Sequence, residues 1–102
     1  MAIRRGTTDC IEIEMPYAVA QVEDGYLTIT QLGNVIREDK FDGGKIILQD
    51  GCILLPLTQE DTLAFPTGAF KMQVRMLLKN GEAVASSGMN GTTDDVDKGG
   101  VI

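Results

Sequence analysis

The sequence of 102 residues contains no histidine and no tryptophan. Without histidine, neither a Ser-His-Asp nor a Cys-His nucleophilic arrangement can be assembled, which argues against enzymatic activity. Basic residues are scarce too: nine Lys and Arg stand against 15 Asp and Glu, a formal net charge of −6. That balance excludes the clustered positive charge that nucleic-acid phosphates and anionic membrane surfaces require. No apolar run approaches the roughly 18 residues of a membrane-spanning helix. The start, MAIRRGTTD, has two arginines but no apolar stretch behind them, so no signal peptide is expected. With only Cys10 and Cys52, free thiols in a reducing cytoplasm are the expectation. Neither GxGxxG nor GxxxxGK[ST] occurs, which leaves the glycines as turn and hinge positions and implies no cofactor.

What remains is a pattern of short alternating strands and turns. Between Lys45 and Ser87 lie two hairpin signals, KIILQ-DG-CILLPL and AFKMQVRMLLK-NG-EAVASS. Asp-Gly and Asn-Gly suit two-residue loops in which both residues take positive φ. A loop at Asp50-Gly51 places Leu48 opposite Ile53 and Ile46 opposite Leu55, all on one face. A loop at Asn80-Gly81 places Lys79 opposite Glu82, Leu78 opposite Ala83 and Leu77 opposite Val84. Phe70, Met72, Val74, Met76 and Leu78 form the longest inward stripe, which predicts a central strand.

Elsewhere, Ile3 to Asp9 reads as an extended arm. Cys10 to Met15 reads as a half-buried strand with Glu12 and Glu14 outward. Tyr17 to Gly25 reads as a connection turning at Glu23-Asp24-Gly25, and Tyr26 to Leu32 as a strand. A loop at Gly33-Asn34 would set Ile29 against Glu38, a mismatch that calls for a bulge or a twisted edge strand. Glu38 to Gly44 reads as a charged crossover anchored by Phe41. Thr58 to Thr62 forms one helical turn, capped by Thr58 with Asp61 three residues on. The glycine-rich end after Gly88 reads as a loose tail, a last short strand, or an arm on a neighbour.

Candidate chemistry is thin. Cys10 lies in phase with Glu12 and Glu14, which raises a thiol pKa and works against a nucleophile. Cys52 beside its apolar run reads as a small hydrophobe. Asp94, Asp95 and Asp97 miss the spacing of a calcium loop, so no metal site is expected. One feature stands out: apolar pairs on the face opposite the core, Ile47 with Leu54 and Leu77 with Val84. Such pairs suggest a patch that another surface covers, either a partner or the chain's own arms. These four residues are the candidate interface.

At LTQEDTLAFPTG followed by KMQVRMLLKNGEAVASS the chain resembles small structural proteins of phages and prophages of Gram-positive bacteria. These are immunoglobulin-like β-sandwiches similar to the N-terminal domain of baseplate upper proteins. The pattern runs through Leu57 to Thr62, Phe65, Gly68 and Met72-Gln73-Val74-Arg75. IRRGTTDCIEIEM and the ending Lys98 to Ile102 also resemble that family, whereas Arg75-Met76 stands where an aromatic is expected. The resemblance implies a non-enzymatic tail or baseplate building block that contacts itself, as a homo-oligomer, and other virion proteins. It would reside in the bacterial cytoplasm during assembly and then in the virion. The expected fold is all-β: a two-sheet antiparallel immunoglobulin-like sandwich of about seven strands, with one helical turn near residues 58–63. Residues 1–90 would form the domain and 91–102 an arm or last strand. A second reading is a small carbohydrate-binding module, for which Tyr17, Tyr26, Phe41, Phe65 and Phe70 are the available aromatics.

Overall fold

The computed structural model describes residues 1–86, 88–96 and 99–102, so Ser87, at the end of the second expected hairpin, and Asp97 and Lys98 lie outside the described residues. The strands are β1 (Ala2–Arg4), β2 (Asp9–Glu14), β3 (Val22–Gln31), β4 (Asn34–Lys40) and β5 (Ile47–Gln49). They continue with β6 (Cys52–Leu57), β7 (Gly68–Leu78), β8 (Ala83–Ala85) and β9 (Met89–Asp94), and a short helix α1 (Gln59–Leu63) joins β6 to β7. Two sheets form: a larger one ordered β1-β9-β7-β3-β4 with β8 also on β7, and a smaller one ordered β2-β6-β5. The protein is thus an all-β, immunoglobulin-like two-sheet sandwich. Among the described residues all pairings are antiparallel except β1 with β9.

The alternation of apolar residues explains why the sheets face each other. Ile11 and Ile13 of β2 and Ile53, Leu55 and Leu57 of β6 point inward, against Leu27 and Ile29 of β3 and the β7 stripe. Phe70, Met72, Val74, Met76 and Leu78 are all buried, and β7 lies at the centre of its sheet as its pattern predicts. Phe65 meets Phe70 edge-on, ring centroids 5.7 Å apart, where α1 hands the chain to β7.

Helix α1 is capped as expected. The Thr58 hydroxyl accepts from Asp61 N at 3.1 Å, and the Asp61 carboxylate accepts from Thr58 N at 2.9 Å. Thr62, fully buried, ties the helix to the N-terminal arm: its hydroxyl accepts from Gly6 N and donates to Thr7 O at 2.8 Å.

Several local expectations need correction. Glu23-Asp24-Gly25 is no turn; it lies inside β3, whose register against β7 shifts between Val22 and Asp24. Gly25 is required there because a Cβ would meet the Arg75 carbonyl oxygen as well as the Phe41 ring that covers it; the expected anchor thus packs inward, but at the end of a strand. The charged stretch Glu38 to Lys40 belongs to β4 rather than to a crossover. Of the readings for the end of the chain, the last short strand is the one that forms: β9 is paired on both sides, and it begins at Met89, so a boundary at position 90 falls inside it.

The turns differ most. The Asp50-Gly51 hairpin keeps its expected register, with Leu48 opposite Ile53, but only Gly51 takes positive φ. Asp50 instead accepts from Val19 N at 2.8 Å, which docks the tip on the preceding connection. Between β3 and β4 the loop is Leu32-Gly33, one residue earlier than expected, with φ of 51° and 81°. With that loop an unbroken ladder would set Ile29 against Ile36; a bulge between Ile29 and Thr30, against the edge strand β4, sets it against Arg37 instead and Glu38 against Thr28. Leu32 is almost wholly exposed in a left-handed conformation that asparagine tolerates far better. Leu32→Asn should therefore raise stability by about 1 kcal/mol. An unchanged or lower urea midpoint would count against the strain.

Candidate interaction faces

The four candidate interface residues do not form one patch. Ile47 and Leu54 pair as expected on the outer face of the smaller sheet, flanked by Glu12 across β2. Leu77 lies on the outer face of the larger sheet, on the opposite side of the sandwich. Val84 does not pair with it. The β7–β8 loop holds three residues, Lys79-Asn80-Gly81, because Leu78 N donates to Glu82 O at 2.8 Å and Gly81 N to Leu78 O at 2.9 Å. Register moves by one, so Leu77 stands opposite Ala83 and Val84 opposite Met76. Val84 therefore turns toward the core and packs half-buried against it. With Met15, Tyr17 and Met89 it lines a seam groove of about 340 Å³ between the sheets.

On the smaller face, Ile47 is 47% exposed and Leu54 half-buried, beside Pro56 and the acidic pair Glu12 and Glu14. Both cysteines open onto this face. Cys10 stands across from Pro56 and Cys52 across from Glu14, so they sit at different levels of the sheet, both as free thiols. Partial burial raises the Cys10 pKa, and Glu12 and Asp9 raise it further. The direction expected from the sequence holds, with desolvation the larger cause. Cys52 is half-buried on the outer side, not a core residue.

The larger face holds a group that sequence reasoning named only in part. Tyr26 of β3 stands between Lys40 of β4 and Arg75 of β7. The Arg75 guanidinium lies over the Tyr26 ring at 5.8 Å and donates to its hydroxyl at 2.9 Å. With Asp24, Leu77 and Ala83 they border a shallow depression of about 300 Å³. Tyrosine and arginine are among the side chains enriched in protein interfaces. Only cross-strand register brings Tyr26 and Arg75 together, 49 residues apart in sequence, so no local motif could have signalled them.

The other charged groups serve the scaffold. Arg37 of β4 bridges Asp39 at 2.6 Å and Asp61 of α1 at 3.1 Å, closing one edge of the sandwich. Asp61 is held below the ordinary carboxylate range, first by the Thr58 backbone N–H; partial burial opposes this, and Arg37 reinforces it. A carboxyl depressed by folding adds stability above its unfolded pKa and loses it as pH falls through the folded value. Asp61→Asn should cost about 1 kcal/mol at neutral pH, as cap and ion pair weaken. The gap to wild type should start to shrink as the pH falls below about 4, the ordinary carboxylate value, and close only below the lower value of the folded state. Urea titrations at neutral and acid pH would reveal a gap that persists, and with it a non-ionic cause.

Arg5 links α1 to the C-terminal segment, donating to Leu63 O at 3.0 Å and to Asp95 at 3.2 Å. Among the described residues no cluster of three His, Cys, Asp or Glu side chains could hold a metal ion, and no helix is long and apolar enough to cross a membrane.

No family model and no curated protein matches the sequence. Solved structures do match in fold. CopC from Methylosinus trichosporium OB3b aligns with a TM-score of 0.59 at 13% identity, over 95% of this chain and 87% of that one. An engineered protein aligns with a TM-score of 0.57 at 10% identity, over 91% of this chain and 17% of that one. The V domain of amphioxus IgVJ-C2 aligns at 0.40, with 9% identity, over 91% of this chain and 98% of that one. At such identities the similarity is one of fold: an immunoglobulin-like sandwich.

Proposed function

We propose that this protein is a non-enzymatic building block that works through protein–protein contacts, in the tail or baseplate of a phage or prophage particle. The observation that carries the first half is the cross-strand apolar pair Ile47 and Leu54 on the outer face of the smaller sheet, the kind of contiguous patch that another surface covers. The assignment to a phage particle rests on the resemblance of Leu57 to Arg75 to such structural proteins. On this reading the chain is made in the bacterial cytoplasm and passes into the virion, with copies of itself and other virion proteins as partners.

A carbohydrate-binding role is the competing reading, and Tyr26 beside the 300 Å³ depression is its best support. Sugars stack on open aromatic faces. The Tyr26 hydroxyl is already engaged by Arg75, which leaves it a poorer sugar partner and favours the contact reading over the ligand reading.

Mass spectrometry of particles purified after inducing the source strain tests the proposal. The tryptic peptide from Ile46 to Lys71 has no internal Lys or Arg and should be released whole. Its presence in stoichiometric amount is the expected result. Intact particles lacking it would remove the structural reading and bring a host-surface or ligand role forward.

A further inference from the structure

We infer that the free edge of β2 takes an added strand from another protein, an extended segment with apolar and basic residues in alternation. The inference rests on the protein-contact reading above and names the surface used and the kind of segment that fits it.

Sheet edges are sites where another chain can add a strand, and proteins shield them by shortness, bulges or charge. Here β1, β5 and β8 are edge strands of three residues each. The β4 edge is bulged and carries four consecutive charged residues, Arg37 to Lys40. Strand β2 differs: it has six residues, no proline, and a register with β6 that runs unbroken from Asp9 to Glu14. In an antiparallel pair, successive residues turn their backbone groups alternately toward the partner and away from it. Met15 N donates to Gly51 O, which continues the β2–β6 ladder and assigns the odd-numbered residues to β6. Cys10 N accordingly points away, and donates to the Asp9 carboxylate. The backbone N–H and C=O groups of Glu12 and Glu14 thus face the open edge, without a partner among the described residues.

Two features set the chemistry of the added strand. On the inner side, the edge ends at the seam groove of about 340 Å³ lined by Met15, Tyr17, Val84 and Met89. Inward side chains of an added strand would fill that groove, so they are apolar. On the outer side, Glu12 stands in a row with Leu54 and Ile47, and Glu14 in a row with Cys52 and Gln49. Neither row holds a lysine or arginine. Outward side chains beside these carboxylates are therefore basic, since opposite charges on neighbouring strands stabilise and like charges destabilise. The same carboxylates disfavour a second copy, because two β2 edges paired together would set glutamate beside glutamate. An extended segment of another protein satisfies edge, groove and charge together.

Hydrogen exchange followed by NMR on the full chain tests this, with a blocked hexapeptide alternating valine and lysine as the probe. The expected result is slowed exchange at the Glu12 and Glu14 amides, saturating below about 1 mM peptide. Peptides with the valines and lysines in two blocks, or with glutamate for lysine, should bind about tenfold more weakly. In the Glu12→Lys/Glu14→Lys variant, altered only at exposed positions, the preference should invert toward the glutamate peptide. No protection at that concentration overturns the inference, as does binding that leaves the two amides exchanging freely. Protection that rises with the concentration of the chain alone overturns it too, and gives the edge to a second copy. A peptide that binds as expected, with particles that lack the chain, leaves the edge standing and removes the particle assignment alone.

Discussion

Gly25→Ala should lower stability by about 3 kcal/mol or more, the largest effect expected from adding a single methyl group to this protein. In an ordinary strand the change is mildly favourable, since alanine loses less backbone freedom than glycine. Here a Cβ would lie 2.5 Å from the Phe41 ring and 2.7 Å from the Arg75 carbonyl oxygen. The ring could move. The carbonyl cannot, because it belongs to β7, the strand on which the larger sheet is built. The variant must therefore break the β3–β7 ladder locally or push the strands apart. Thermal unfolding should show a fall of roughly 15 °C, taking the usual few degrees per kcal/mol for a domain of this size. Trimming the aromatic in a Gly25→Ala/Phe41→Leu double variant should recover little, because the backbone clash remains. Full recovery would mean that the ring alone sets the constraint.

Gly91→Ala offers the contrast. Its Cβ would lie 2.3 Å from the tip of the Phe70 ring, with two further ring carbons within 3.0 Å and no backbone among them. Phe70 stands directly opposite Gly91 in the β7–β9 ladder and covers it, held from the other side by Phe65. The ring is buried and has nowhere to go without disturbing that pair, so a loss of about 2–3 kcal/mol is expected. Unlike the Gly25 case, Phe70→Leu should relieve it: the double variant should be about as stable as Phe70→Leu alone, a coupling that a double-mutant cycle in urea would measure. Simple additivity of the two substitutions would show that the glycine is needed for another reason. Each glycine thus marks a place where an aromatic crosses a strand, and the two differ in whether side chain or backbone sets the limit.

The strands themselves were legible because alternation is a local signal. Ile11 with Ile13, Ile53 with Leu55, and the stripe from Phe70 to Leu78 all face the core as their spacing dictates. The Thr58–Asp61 cap was legible for the same reason, since both partners lie within four residues. An irregularity on the β3–β4 edge was expected from Ile29 facing Glu38, and a bulge is there, but the loop begins one residue earlier and Ile29 faces Arg37, so the conflict read in the sequence is not its cause. Glycine was harder to read. Gly25 beside Asp24 imitates a turn, and the tail's run of glycines imitates disorder, because composition does not say whether a glycine bends the chain or makes room for a ring. Gly91 makes room, and β9 forms around it.

The candidate faces show the same division. Ile47 with Leu54 could be paired from the sequence because the Asp50-Gly51 loop has two residues, as its dipeptide suggests. Leu77 with Val84 could not, because one extra loop residue inverts every side chain that follows it. The choice between a two- and a three-residue loop at Asn80-Gly81 is made by hydrogen bonds from Leu78 and Gly81 that the dipeptide does not encode. By itself the sequence determined an all-β domain with a central β7, a capped single-turn helix and no histidine-based chemistry, since these follow from residue type and period. Only the tertiary structure decided which apolar side chains remain on the surface, that Tyr26 lies under Arg75, and that the outward residues fall on two opposite faces. Those depend on register and sheet assignment, set by contacts between residues far apart in the chain.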